Sequence, residues 1–216
     1  MKRTLLTLSA LLVLSATLFT VVGTGVAEAA PVASGSVACT VTGKGAFTPA
    51  LTLTGGSSSL GINFGAVSPT SGGCFSSATA PNSAGLTVPV TITAVSITGT
   101  GSLVPIGSGS PNKCAVFRAA DTIGVIKVKY TWTSTPAIAP TVVTFTGGTT
   151  HIVSGATLDN IVLPAATGTT EVTTGSFAPA VHPLVGLKTS IAAPCAAGWG
   201  PYPAFTINTG SLITLP

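Results

Sequence analysis

The chain reads as an all-β protein: a meander of about eight to ten antiparallel strands, closed into a single-domain barrel or sandwich and preceded by a signal-peptide helix. Three observations predict this. Apolar and polar residues alternate with period two along most of the chain. Gly, Pro, Asn and Ser clusters punctuate it at short intervals, as in "GGSSSLG", "SGGC", "GSGSPN" and "TGGTT". No segment after the first thirty residues carries a helical apolar stripe; "CAVFRAADTIG" has room for one helical turn at residues 115–121.

The N-terminus is read as an export signal. Lys2 and Arg3 precede the apolar run "LLTLSALLVLSATLFTVV", and Ala27-Glu28-Ala29 offers an A-x-A cleavage site. Residues 1–29 are therefore assigned to a signal peptide and 30–216 to a secreted β domain with no membrane span. The first cysteine, in "SVAC", lies too far beyond the apolar run for a lipoprotein.

The strands follow in order. "CTVTGKGAFTPALTLTGG", from Cys39, alternates into a pair of glycines and builds the first strand. "LTVPVTITAVSITGTG" alternates through Val88, Val90 and Ile92, then changes phase at Ala94-Val95, which predicts a bulge. Pro89 belongs at an edge or at a strand's beginning. In "VIKVKYTWT", residues 125–133, Ile126, Val128, Tyr130 and Trp132 share one face, and Lys127, Lys129, Thr131 and Thr133 the other. That is one buried and one wet face. "TVVTFTGG", "TLDNIVLP", "GTTEVTTGSF", "LVGLKTSI" and "AFTINTGSLITL" supply the rest. Short turns between successive strands favour hairpins over crossovers.

Charge is scarce. Charged residues are 6% of the chain, against roughly 25% in an average soluble domain. Beyond the signal, Lys44, Lys113, Arg118, Lys127, Lys129 and Lys188 face Asp121, Asp159 and Glu171, a net of +3. Only Lys127 and Lys129 are close in sequence, so no clustered basic face is expected and no nucleic-acid partner.

Four cysteines in an exported chain read as two disulfides. Metal sites want closer pairs than the nearest spacing here. Cys39 starts the first strand and Cys74 ends the region that would return beside it, which favours Cys39–Cys74 and leaves Cys114–Cys195.

"CTVTGKGAFTPALTL", "SGGC", "GSGSPNKC", the "YTWTST…VVTFTGG" hairpin and the closing "FTINTGSLITL" together resemble a group of small secreted proteins of high-GC Gram-positive (actinobacterial) bacteria. The resemblance spans most of the chain after the signal. It implies export and an all-β fold, and it brings no established activity and no functional residues.

No constellation for catalysis stands out, and no catalytic, cofactor-binding or metal-ligating residue is assigned. There is no G-x-S-x-G elbow, no P-loop and no G-x-G-x-x-G. His151, in "GGTTHIVSG", reads as a loop residue after a turn, and His182 as one before Pro183. A serine with His151 and Asp159, or with His182 and Asp121, is the triad the composition permits. Asp159 in "LDN" reads as a turn residue, and Glu171 in "GTTEVTTG" as an outward, solvated strand residue. Trp199 and Tyr202, in "CAAGWGPYPAF" beside Cys195, form either a binding loop or a plug over one end of the fold. The expectation is a secreted or envelope-associated non-enzymatic β module that is structural or binds a cell-surface partner. The alternatives are a barrel holding a small apolar ligand, an outer-membrane-type barrel subunit, and a weakly marked hydrolase. Strands too short for a bilayer argue against the membrane barrel.

Overall fold

A computed structural model describes residues 29–65, 67–105, 109–114, 121–154, 159–162, 169–178, 188–191 and 201–216. Within them lie thirteen strands. They are β1 (Val37–Leu51), β2 (Leu60–Asn63), β3 (Val67–Ser76), β4 (Thr79–Pro81), β5 (Thr87–Pro89), β6 (Thr91–Pro105), β7 (Asp121–Thr135), β8 (Thr141–Gly147), β9 (Thr149–Ser154), β10 (Asp159–Val162), β11 (Thr169–Gly175), β12 (Thr189–Ser190) and β13 (Tyr202–Leu215). The export signal, the helical turn expected after Cys114, and His182, Cys195 and Trp199 lie outside the described residues.

All strands except the β4–β5 hairpin belong to one antiparallel sheet. Several short strands are halves of longer ones. β8 and β9 keep a single register along β7, from Lys129↔Val142 to Asp121↔Thr150. Gly147 and Gly148, both left-handed at φ 71° and 72°, kink that strand without ending it. β2 and β3 likewise share the lane between β1 and β6, and β10 and β11 share the far side of β9 and β8. The meander therefore runs β1, β2/β3, β6, β7, β8/β9, β10/β11, β12, β13. It returns to its start, because β13 pairs with β1 from Val37↔Leu215 to Leu51↔Tyr202. At the remaining seam β10 approaches β12 within 8 Å between Cα atoms. The sheet is rolled into a barrel-like tube around one core, where a sandwich would need two sheets.

Alternation sends one residue set inward. Ile126, Val128, Tyr130 and Trp132 of β7 are buried and Lys127, Lys129, Thr131 and Thr133 exposed, as expected. The bulge predicted near Ala94 lies between Ile92 and Ala94. The core holds two aromatic clusters. Phe205 lies 5.3 Å from Phe47 and edge-on to Phe64 at 5.9 Å. Trp132 stacks on Tyr130 at 5.9 Å and meets Phe177 edge-on at 5.2 Å.

The first cluster depends on a glycine. Gly45 pairs directly with Phe205, and a Cβ on Gly45 would fall 2.0 Å from that ring. The ring lies flat over the bare backbone of the neighbouring strand, as in aromatic rescue of a strand glycine.

Chain segments hydrogen-bond to the wall at both ends of the tube. At the lower end residues 31–34 cross as a strap. Ala139 N–H donates to Pro31 O at 2.8 Å, Phe177 N–H to Ala33 O at 2.8 Å, and Ser34 and Thr79 exchange two bonds at 2.9 Å. At the upper end Asn112 is 5% exposed and fully engaged. Its Oδ1 accepts from Ser57 N–H at 2.9 Å, its Nδ2 donates to Ala50 O at 3.3 Å, and its carbonyl accepts from Thr52 N–H at 2.9 Å.

Cys39 and Cys74 are disulfide-bonded from directly opposite positions on β1 and β3, as the meander predicted. Cys114 is also disulfide-bonded.

Two outcomes test this packing. Gly45→Ala should lower folding stability by about 1–3 kcal/mol, and pairing it with Phe205→Leu should cost less than the sum of the two; additive losses in urea titrations would mean the ring does not lean on Gly45. Removing the Cys39–Cys74 link, which closes a 35-residue separation, by a double change to Ala should cost about 2–4 kcal/mol in the same titration.

Candidate functional site

The residues singled out from the sequence do not converge. His151 lies in strand β9, opposite Val162, and not in a loop: the preceding glycines only kink the strand. Asp159 opens β10 opposite Ser154 and is not a turn residue. The ladder keeps His151 and Asp159 three residues apart, about 10 Å along the strand. Asp121 opens β7 between Pro105 and Thr150. The side chains of these three lie outside the described residues. Tyr202 begins β13, half-buried against the core, with its hydroxyl buried as well. Among the described residues no three His, Cys, Asp or Glu side chains gather as a metal-ligand set.

Glu171 is a correction. It pairs with inward-facing Phe145, is only partly exposed, and has a buried Oε1, while Val172, the apolar residue beside it, is 54% exposed. The sheet's register, and not local polarity, decides which face a residue takes. Glu171 thus brings a carboxylate into the field of Tyr130. The Tyr130 phenol is buried, and its hydroxyl has no hydrogen-bond partner among the described residues. Burial, and then the Glu171 charge, raise its pKa well above the ordinary tyrosine range. Nearby, Trp132 Nε1–H donates to Thr141 Oγ1 at 3.0 Å and Thr141 Oγ1 donates to Ser176 O at 2.5 Å. These groups bind the lower cap to the wall.

The arrangement open to a partner is on the outside. A depression of about 560 Å³ is lined by Asn63, Gly65, Thr98, Gly99, Thr100, Lys127, Lys129 and Val142. Its origin is local. Phe64, just after β2, continues the inward alternation of Leu60 and Ile62, and Gly65 beyond it presents no side chain, so the wall dips. Gly99 lines the dip with backbone only and faces inward, where a Cβ would lie 2.9 Å from the Phe64 ring; a Cβ on Gly65 would lie 2.9 Å from Lys44 O. Register sets the rim. Asn63 stands opposite Thr100, Thr100 opposite Lys127, and Lys127 opposite Thr144; Thr98 stands opposite Lys129.

The two ammonium groups start from Cα atoms about 7 Å apart on one strand face. Lys44 is exposed on β1, on the far side of Gly65. Among the described side chains the carboxylate is Glu171, turned inward, so the described part of this wall carries positive charge alone. Sequence reading noticed the Lys127–Lys129 spacing and missed Asn63, Gly65 and Thr98, which join it only through strand register.

Comparison with protein-family models, with curated proteins and with solved structures finds no match to this chain.

Tyr130→Phe should leave stability at neutral pH within about 1 kcal/mol of the wild type, or raise it, since an unbonded buried hydroxyl is removed. Above about pH 10 an unfolded chain ionises this tyrosine while the folded chain keeps its proton. Stability should therefore fall with rising pH by about 1.4 kcal/mol per unit from this group. The variant should lose that part of the slope; an unchanged alkaline slope in urea titrations would refute the assignment.

Proposed function

We propose that this chain is a secreted or cell-envelope-associated, non-enzymatic β module that works by binding a partner on its outer wall. The observation that carries the reading is the glycine-floored depression bearing Lys127 and Lys129. It is a recess where charge is concentrated in a chain that has very little of it.

The alternatives have less behind them. A small apolar ligand needs an interior volume, whereas this interior is occupied by two packed aromatic clusters. A membrane barrel needs an apolar outer band. Strand length no longer argues against it, because β1, β6 and β7 have 15 residues and β13 has 14. Face polarity does argue against it: the outward positions of β6 and β7 are mainly Thr, Ser and Lys. A hydrolase has no specific observation in its favour.

The test is association of the exported protein with envelope isolated from its own cells. Saturable binding is expected, and Lys127→Gln with Lys129→Gln should weaken it about tenfold at low salt, with less effect as salt screens the site. No saturable association, or unchanged binding by the double variant, would overturn the reading.

A further inference from the structure

Resting on that reading, we infer that the partner is an acidic polysaccharide, laid across the wall from β1 to β8 over the Gly65–Gly99 depression. Three features of the wall select this chemistry.

The first is charge complementarity. Lys44, Lys127 and Lys129 are exposed along this path, and no described carboxylate opposes them. Their ammonium groups meet anionic groups spaced along a chain, not one compact anion.

The second is the neutral rim. The hydroxyls of Thr98 and Thr100 and the carboxamide of Asn63 make no hydrogen bond to the protein among the described residues. They are a donor and acceptor set suited to sugar hydroxyls. Thr144 continues the same row on β8 beyond Lys127.

The third is dimension and relief. β1, β2, β6, β7 and β8 are successive lanes, so the path covers four strand steps, about 19 Å. A pyranose is about as long as one step, so roughly four units fit. Gly65, just beyond β2, adds no side chain to the centre, where a sugar ring can sit close.

Other polyanions fit less well. Single-stranded nucleic acid is held by aromatic stacking along a cationic track, and among the described residues no aromatic side chain lines this depression. An acidic protein surface wants an aromatic or Arg anchor, and the apolar contribution here is Val142.

The experiment uses the disulfide-bonded chain from Ala30 to Pro216, titrated at low salt with polygalacturonate oligomers, dextran sulfate oligomers, neutral dextran and oligothymidylate. Binding to at least one acidic sugar is expected, with none to dextran and weaker binding to oligothymidylate. The double change Lys127→Gln, Lys129→Gln should cost about tenfold in affinity at unchanged melting temperature. Lys113→Gln with Lys188→Gln, away from the depression, should change it less than about twofold. Failure of both acidic sugars to bind, equal losses in the two double variants, or tighter binding of oligothymidylate would each overturn the assignment. Envelope association that persists but resists competition by both acidic sugars would remove the polysaccharide and leave the partner-binding reading standing. Loss of envelope association itself would remove both.

Discussion

The structure depends on the pairing of its first long strand with its last. β1 and β13 are joined along most of their length, although nearly the whole chain lies between them. This pairing converts an open meander into a tube, and only a tube gives the inward faces of all lanes one common core. Its weak point is Gly45, where the strand has no side chain to pack. Phe205, directly opposite, covers the gap and carries Phe47 and Phe64 with it. A contact distant in sequence therefore organises the upper half of the interior. The Cys39–Cys74 bond fixes β1 on its other flank, to β3, so β1 is held from both sides.

A filled interior has a consequence for function. Barrels of this size either pack their lumen with side chains or keep room for a ligand. Here the lumen holds packed aromatics, and at the lower end the strap of residues 31–34 hydrogen-bonds across to the wall. Among the described residues the recess of mixed polar and charged lining is on the outer surface. On that surface the interruption between β2 and β3 is informative: Phe64 continues the inward alternation of β2 and keeps its N–H on Gly99 O, and the bare Gly65 follows it.

Much of the architecture was legible in the sequence, for a simple reason. Where apolar and polar residues alternate cleanly, as in residues 125–133, the buried face is written in the order of residues. The phase change at Ala94 and the Cys39–Cys74 pairing followed from the same alternation and from hairpin geometry. Legibility failed where both faces are polar. In "TTEVTTG" nothing marks the phase, and the register on β8 places Glu171 inward and Val172 outward, against the usual preference. Glycine misled in a second way. The clusters "SGGC" and "TGGTT" read as punctuation, yet Gly72 and Gly73 lie within β3 and Gly147 and Gly148 only kink the lane beside β7, so these lanes are longer than their punctuation implied. The outer depression was half visible: the two lysines share a strand, but their neighbours come from three other lanes.

The low charge of the chain and its closed topology belong together. A protein with 45% hydrophobic residues and few charges is exposed to edge-to-edge aggregation if it leaves long strands unpaired. Lysines are a common guard on such edges. By pairing β1 with β13, the fold removes two of its longest potential edges by hydrogen bonding, and the guard is not needed there. The outward positions are covered instead by threonine and serine, which suit strands by shape and keep the wall wet without charge. Lys127 and Lys129 are then not accounted for by solubility or edge protection, since β7 lies between β6 and β8 and has no free edge at those residues. Two like charges held on one face of a central strand repel each other and slightly oppose folding. They stand beside a recess that their own strand helps to form, and an anion placed there would relieve that repulsion.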